Sequence, residues 1–282
     1  GLLCEIPWSF LENAWREVEQ APKLSRGLGM IFMPQNSELR KEAQNFCEEE
    51  AQLLGFESLG WRNVPINSNV LGPLAKKTAP YIQQWIITGN DSGKALEALL
   101  FRLRRKIGKR ARQEWKTKEI DLYIASLSSQ TVVYKGMVRS EVLAPFYLDL
   151  QEKDFKISYA VYHRRFSTNT LPRWPLAQPM RLLGHNGEIN TLLGNLNWAK
   201  ATENNIESIW GNASKDLKPI VNPDFSDSAN LDATLELLVR SGRPITDSLL
   251  TLIPEAFRDQ PELNNKEKIT AFYEYSAGTQ EP

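Results

Sequence analysis

The sequence predicts a single layered domain of mixed α and β structure. Segments with helical hydrophobic spacing alternate with short runs rich in β-branched and aromatic residues. No internal repeat, low-complexity tract or linker-like stretch divides the 282 residues. Hydrophobic residues make up 41% of the chain, which is enough for a packed core. We therefore expect one domain over residues 1–282.

The first third of the chain predicts two helices, at 9–19 and 38–54. Ser37 is a suitable N-cap for the second helix and Gly55 a suitable stop. Cys47 lies on the apolar face of that helix, and Cys4 lies in an apolar strand, so both cysteines are predicted to be small buried core residues. The strands predicted in this region are 2–6, 29–33, 61–65 and 81–88.

Further along, leucine and isoleucine spacing predicts a helix at 91–112. The runs 122–127 and 131–134 predict a hairpin across Ser128-Ser129-Gln130. A strand is expected at 157–167. Two more helices are expected at 190–203 and 228–241, and Gly242 follows the second of them.

The helix at 91–112 is strongly basic, which suggests either a nucleic-acid surface or a solvated face that contacts an acidic neighbouring domain. The chain carries 34 basic and 34 acidic residues, and no aromatic residues interleave with the basic ones on this helix. The second interpretation is therefore favoured, and neither nucleic acid nor a membrane is an expected partner. The basic residues are Arg102, Arg104, Arg105, Lys106, Lys109, Arg110 and Arg112.

Two cysteines and two histidines limit the chemistry of the chain. Two cysteines cannot form a disulfide framework, and so few ligands make a metal site an unexpected feature. The sequence shows neither a signal peptide nor an 18-residue apolar run, which indicates a soluble protein of a reducing compartment such as the cytoplasm or the plastid stroma.

Three groups could bind one small polar molecule. Asn186 and Gly187 place a carboxamide beside an unobstructed backbone N–H, the arrangement of an oxyanion hole. Arg165 could hold a carboxylate with two parallel hydrogen bonds, and Asp227 could receive an ammonium group. From the residues alone, a turn at Asn186-Gly187, an ion pair at Arg165 and an N-cap at Asp227 remain open alternatives.

Longer motifs around these residues resemble the class II glutamine amidotransferases. Arg165-Phe166-Ser167-Thr168 is similar to the segment that binds the glutamine carboxylate, Asn186-Gly187 to the oxyanion hole, and Asp227 to the contact for the substrate amino group. This resemblance implies that Arg165, Phe166, Thr168 and Asp227 bind substrate and that Asn186 and Gly187 are catalytic. His163 and His185 are expected to be packed or hydrogen-bonded neighbours without a role in proton transfer.

Within that family, residues 169–179 and 184–198 resemble the amidotransferase region of glutamate synthases. The segments 132–137 and 146–150 look closest to the ferredoxin-dependent enzymes rather than the NAD(P)H-dependent ones. The resemblance implies an α+β fold, the four-layer αββα sandwich of the N-terminal-nucleophile hydrolases. It also implies hydrolysis of L-glutamine to glutamate and ammonia, which is channelled to 2-oxoglutarate in a parent oxidoreductase that acts on CH–NH2 groups.

The same resemblance implies FMN, a [3Fe-4S] cluster and ferredoxin for the parent enzyme, together with central and FMN-binding domains. No cofactor or metal is expected in this chain. The family's nucleophile is an N-terminal cysteine, for which neither Cys4 nor Cys47 can substitute. The chain, beginning at Gly1, is therefore expected to be an N-terminally truncated and inactive fragment that lacks its first strand or strands. The alternative is a non-catalytic interaction module that uses the basic helix as its surface.

Overall fold

The computed structural model describes residues 1–114, 122–164, 171–187, 189, 192–253 and 267–277. These residues fall into two compact units. Residues 1–114, 122–164 and 171–185 belong to the first unit, and 186, 187, 189, 192–253 and 267–277 belong to the second.

The first unit contains two antiparallel sheets. One sheet has the order β6-β1-β7 and the other the order β3-β4-β2-β5. The strands are β1 Leu2–Glu5, β2 Arg26–Met33, β3 Glu57–Asn63, β4 Tyr81–Thr88, β5 Tyr123–Ser128, β6 Thr131–Tyr134 and β7 Ala160–Tyr162.

The helices of the first unit connect these strands. They are α1 Trp8–Ala14, α2 Arg16–Gln20, α3 Ser37–Leu53, α4 Pro73–Lys77, α5 Gly93–Glu114 and α6 Leu143–Phe146. Short 3-10 turns at Ser68–Val70, Ser140–Val142, Leu148–Gln151 and Trp174–Leu176 complete this part of the chain.

Alternation along β2 divides the buried residues of the first unit into two cores. Leu28, Met30 and Phe32 pack with side chains of both sheets, including Cys4 and Tyr134. On the opposite face, β2 and β4 pack against the apolar stripes of α3 and α5. The described layers are thus helices, a four-stranded sheet and a three-stranded sheet, with one core at each interface.

Strand β2 begins three residues before its predicted start, because Gly27 and Gly29 have no side chains and interrupt the alternating pattern of the sequence. Gly27 faces α5, where a Cβ atom would lie 2.8 Å from Leu100 Cδ2. The missing side chain lets Leu100 approach the sheet closely, which explains a glycine inside a buried strand.

The predicted hairpin at 122–134 is wrong. Strand β5 pairs with β2 in one sheet, whereas β6 pairs with β1 in the other. The connection is held by Glu97 of α5, which is 2% exposed and accepts hydrogen bonds from Ser129 N (2.6 Å) and Ser128 Oγ (2.9 Å). A buried carboxylate therefore binds the connection while the chain crosses between sheets.

Two local helix predictions also need correction. The helix expected at 9–19 is broken at Trp15, whose backbone is extended and whose side chain is buried in the core between the sheets. The N-cap of α3 is Asn36 rather than Ser37, since Asn36 Oδ1 accepts from Glu38 N and Leu39 N at 2.8 and 3.0 Å. Gly55 has a φ of 81°, so the predicted stop is confirmed.

The second unit is helical in its described residues. Its helices are α7 Leu192–Thr202, α8 Glu207–Trp210, α9 Ser214–Leu217, α10 Asp227–Arg240, α11 Ile245–Leu252 and α12 Glu267–Ala277, with 3-10 turns at Glu203–Ile206 and Gly211–Ala213. Helix α10 packs against α7 and α11, and α11 packs against α12. The predicted end of α10 is confirmed, since Gly242 has a φ of 99°.

The α+β class is confirmed by the two antiparallel sheets and their helices. The single-domain organisation and the missing first strand stay predictions.

Candidate functional site

The predicted site residues come from three segments of the chain, at 165–168, 186–187 and 227. Arg165, Phe166 and Thr168 lie outside the described residues. Asn186 and Gly187 are exposed and belong to neither a helix nor a strand. The turn alternative for this pair and its catalytic role therefore both stay predictions, as does the convergence of the predicted residues around one substrate.

Asp227 is the first residue of α10 and is 5% exposed. The N-cap alternative for Asp227 is wrong, because Ser226 fills that position and its Oγ accepts from Ala229 N at 3.2 Å. Asp227 Oδ1 accepts hydrogen bonds from Ser228 N (2.6 Å) and Ser228 Oγ (3.1 Å). The helix N-terminus is a favourable place for a buried negative charge, which suits a contact with an ammonium group.

The loop before Asn186 is built on a buried aromatic residue. Trp174 is 3% exposed and its ring lies 6.1 Å from Phe32 and 5.6 Å from Phe146, centroid to centroid. Gly136 makes this packing possible, since a Cβ atom there would lie 2.3 Å from Trp174 Cζ3. The next residue along the loop, Pro175, accepts a hydrogen bond through its carbonyl from the buried Lys135 Nζ at 2.7 Å.

Both backbone polar groups of His185 are hydrogen-bonded to side chains. His185 N donates to Gln178 Oε1, and His163 Nε2 lies at the His185 carbonyl oxygen, both at 2.9 Å. A carbonyl can only accept, so His163 carries its proton on Nε2. The expectation that the two histidines are packed or hydrogen-bonded neighbours is confirmed. The part played by Gln178 was missed, because no local pattern in the sequence indicates a side-chain contact to the His185 backbone.

Neither cysteine has the surroundings of a nucleophile. Cys4 and Cys47 are both fully buried, in the first core and the second core respectively. Burial, and then the charge of Glu5, raises the pKa of Cys4 to about 12. Burial, together with Glu48 and Glu50, also raises the pKa of Cys47. A thiolate is the reactive form, so both thiols are inert near neutral pH.

The basic surface of α5 is partly neutralised by α3. The carboxylate of Glu50, which is 2% exposed, forms ion pairs with Lys106 Nζ at 2.8 Å and with Arg110 Nη1 at 2.5 Å. Arg110 Nε also contacts Glu114 at 2.6 Å. Part of the predicted basic face therefore holds two helices together rather than facing a partner.

The first unit has a cleft of about 500 Å³. Its lining includes none of the predicted site residues that the structure describes, which are Asn186, Gly187 and Asp227. The cleft lies at α3 and the start of β3, where Glu48 accepts from Trp61 Nε1 at 2.6 Å and from Ser58 Oγ at 3.3 Å. Its acidic lining is unsuitable for a carboxylate ligand. The lining residues are Asn45, Glu48, Glu49, Gln52, Phe56, Glu57 and Ser58.

The described residues contain no group of three or more histidine, cysteine, aspartate or glutamate side chains placed to hold a metal ion. Among the same residues, no helix combines the length and the apolar character needed to cross a membrane.

Comparison with known proteins defines the class. The family model of class II glutamine amidotransferases matches residues 1–282, and the chain belongs to this family. The chain is 50% identical over 289 residues to ferredoxin-dependent glutamate synthase 2 of Synechocystis sp.. It is 46% identical to ferredoxin-dependent glutamate synthase 1, chloroplastic/mitochondrial, of Arabidopsis thaliana and to the ferredoxin-dependent glutamate synthase of Pyropia yezoensis. Each alignment covers 100% of this chain and 18% of the relative.

Proposed function

We propose that this chain is the glutaminase domain of a ferredoxin-dependent glutamate synthase. One observation carries the proposal: relatives that share 46 to 50% identity over the whole chain have that name. The chain would hydrolyse L-glutamine to glutamate and ammonia, and the ammonia would react with 2-oxoglutarate elsewhere in a longer polypeptide. The chain spans 18% of the length of those relatives, which leaves ample sequence for the other reactions.

In this proposal the charged site residues each bind the group of glutamine that carries the opposite charge. Arg165 binds the glutamine α-carboxylate through its planar guanidinium, and Phe166 and Thr168 complete that side of the substrate. Asp227 receives the α-ammonium group. Asn186 and Gly187 donate hydrogen bonds to the oxygen that becomes negative when a thiolate attacks the side-chain amide.

The thiolate itself is proposed to come from a residue outside these 282. The two cysteines present are buried and have raised pKa values, which supports this assignment. An N-terminal cysteine with its own α-amino group as base would supply the thiolate in the complete enzyme.

The cofactors are assigned to the remaining domains of the parent enzyme. FMN and a [3Fe-4S] cluster are proposed there, with ferredoxin as the electron donor. The cysteines of this chain do not fit the cluster, because three thiolates are needed and the two present lie in separate cores. A reducing compartment, the cytoplasm or the plastid stroma, is the proposed location.

The test uses the full-length polypeptide that contains this domain. Ammonia release from glutamine and glutamate formation from 2-oxoglutarate are measured with reduced ferredoxin, and the same synthesis is then fed with ammonia directly. Asn186→Ala should lower the glutamine-dependent turnover about 100- to 1000-fold, since one oxyanion donor is lost. The ammonia-fed reaction should be unchanged, which shows that the rest of the polypeptide is intact. An unchanged glutamine-dependent turnover number would remove Asn186 from the site, and a wild-type enzyme that releases no ammonia from glutamine would refute the proposed function.

A further inference from the structure

The peptide groups on both sides of His185 are fixed just before the proposed oxyanion donors. The His185 N–H donates to Gln178 Oε1, and its carbonyl accepts from His163 Nε2. Because a peptide bond is planar, the direction of the His185 carbonyl also sets the direction of the Asn186 N–H. The backbone that enters Asn186-Gly187 is therefore oriented by two side chains that come from other parts of the fold.

Both side chains are themselves anchored. Gln178 is 3% exposed, and the loop that follows it turns back through a hydrogen bond from Met180 N to Leu183 O at 2.8 Å. His163 comes directly after β7, and its N–H donates to Gly1 O at 3.0 Å, which continues the pairing of β7 with β1. The two contacts thus attach the His185 backbone to a buried loop and to a sheet.

We propose that His163 and Gln178 are positioning residues that align the Asn186 and Gly187 donors with the oxyanion. The inference rests on the proposed glutaminase function. A donor displaced by about 1 Å can reduce a reaction rate on the order of 100-fold, so orienting contacts have measurable kinetic value. Neither residue touches the substrate in this proposal. Their effect falls on the transition state, where the oxygen is negative, rather than on binding of neutral glutamine.

The experiment compares variants of His163 in the full-length polypeptide. His163→Phe keeps a ring but lacks the donor, His163→Leu removes both, and His163→Gln keeps an N–H at a similar distance from the backbone. The first two should lower the glutamine-dependent kcat about 10- to 100-fold, with the glutamine KM changed by less than about 2-fold. His163→Gln should recover most of the loss. Tyr162→Phe, at an exposed neighbour on β7, is the matched control and should match the wild type.

A double variant tests whether His163 acts through Asn186. Asn186→Ala removes one of the two donors that His163 is proposed to align and leaves the Gly187 N–H, so His163→Phe with Asn186→Ala should lose less than the product of the two single losses. Losses that multiply would overturn the proposal, as would a wild-type kcat in His163→Phe or a loss confined to KM.

The outcomes also separate this inference from the proposed function. The ammonia-fed reaction reports that the rest of the polypeptide is intact and an unchanged thermal unfolding midpoint reports that this domain is folded, so whichever of His163→Phe and His163→Leu retains both decides the question. A wild-type enzyme without glutamine hydrolysis refutes the proposed function and the inference together. An active wild-type enzyme with an equally active folded His163 variant refutes the inference alone.

Discussion

At the scale of single residues, close packing against side chains and buried charges determine which substitutions the first unit tolerates. Gly136 is in contact with Trp174, and Arg62 forms two hydrogen bonds, of 2.7 and 2.8 Å, with Asp149, which is 2% exposed. Tyr134 joins this buried network through a hydrogen bond to Asp149 at 3.3 Å. The Arg62, Asp149 and Tyr134 side chains are thus paired with one another, as burial of polar groups requires.

Gly136→Ala should destabilise the protein by about 1 to 3 kcal/mol, because the new methyl group overlaps the Trp174 ring and the buried indole cannot move away freely. Urea denaturation followed by circular dichroism measures the change. Gly108→Ala is the control: Gly108 lies inside α5, and its added Cβ would meet only Arg112 Nη1, at 3.7 Å. The free energy of unfolding of that variant should be higher by about 0.5 to 1 kcal/mol, because alanine has a higher helix propensity than glycine. Equal effects of the two substitutions would contradict the packing assigned to Trp174.

At the scale of secondary-structure elements, α3 and α5 are joined by charge as well as by apolar packing. Burial raises the pKa of Glu50, but hydrogen bonds from Lys106 and Arg110 and their positive charges outweigh burial, so its pKa lies below the ordinary value of 4.5. A carboxylate with a lowered pKa stabilises the fold fully above its unfolded pKa. That stabilisation is lost as the pH falls through the lower pKa of the folded state.

Glu50→Gln should therefore lower the free energy of unfolding by about 1 to 3 kcal/mol at pH 7, a range reduced because Lys106 and Arg110 are partly exposed. The difference from the wild type should persist down to about pH 4.5 and shrink below it. Thermal unfolding at a series of pH values from 7 to 3 tests this. Glu49→Gln, on the same helix and 63% exposed, should show almost no difference at any pH. A Glu50 effect that is constant over the whole pH range would exclude the charge mechanism.

The same elements show why sequence patterns predicted some structure and missed the rest. Strand β4 has its predicted limits, Tyr81–Thr88, because it is a continuous run of buried residues that supplies apolar side chains to both cores. The connection between β5 and β6 was predicted as a hairpin because local propensity does not include the contribution of Glu97, a residue distant in sequence that binds the connection. Trp15 interrupts a helical pattern for a similar reason, since its burial depends on tertiary packing. Local signals therefore located elements, whereas long-range contacts decided their pairing and their ends.

At the scale of the whole molecule, family motifs predicted the class and the candidate residues, but no local pattern predicts the contacts that support them. The roles of Asn186, Gly187 and Asp227 were inferred from resemblance to the amidotransferases. The hydrogen bonds that Gln178 and His163 make to His185 require residues brought together only by folding. Contacts of this kind are weakly encoded in sequence because a glutamine or histidine side chain can serve many roles.

The 282-residue chain, produced alone, should release no ammonia from glutamine above a blank without protein. Its two thiols are fully buried and have raised pKa values, so neither forms the thiolate that attack on an amide requires. A thiol-specific dye should accordingly label neither Cys4 nor Cys47 in the native chain and both after unfolding in urea. The full-length polypeptide, assayed in parallel, should release ammonia and so establish that the assay works. Ammonia release from the isolated chain that disappears in Cys4→Ala, but survives in Cys47→Ala, would identify Cys4 as a nucleophile and contradict the assignment of that role to a residue outside this chain.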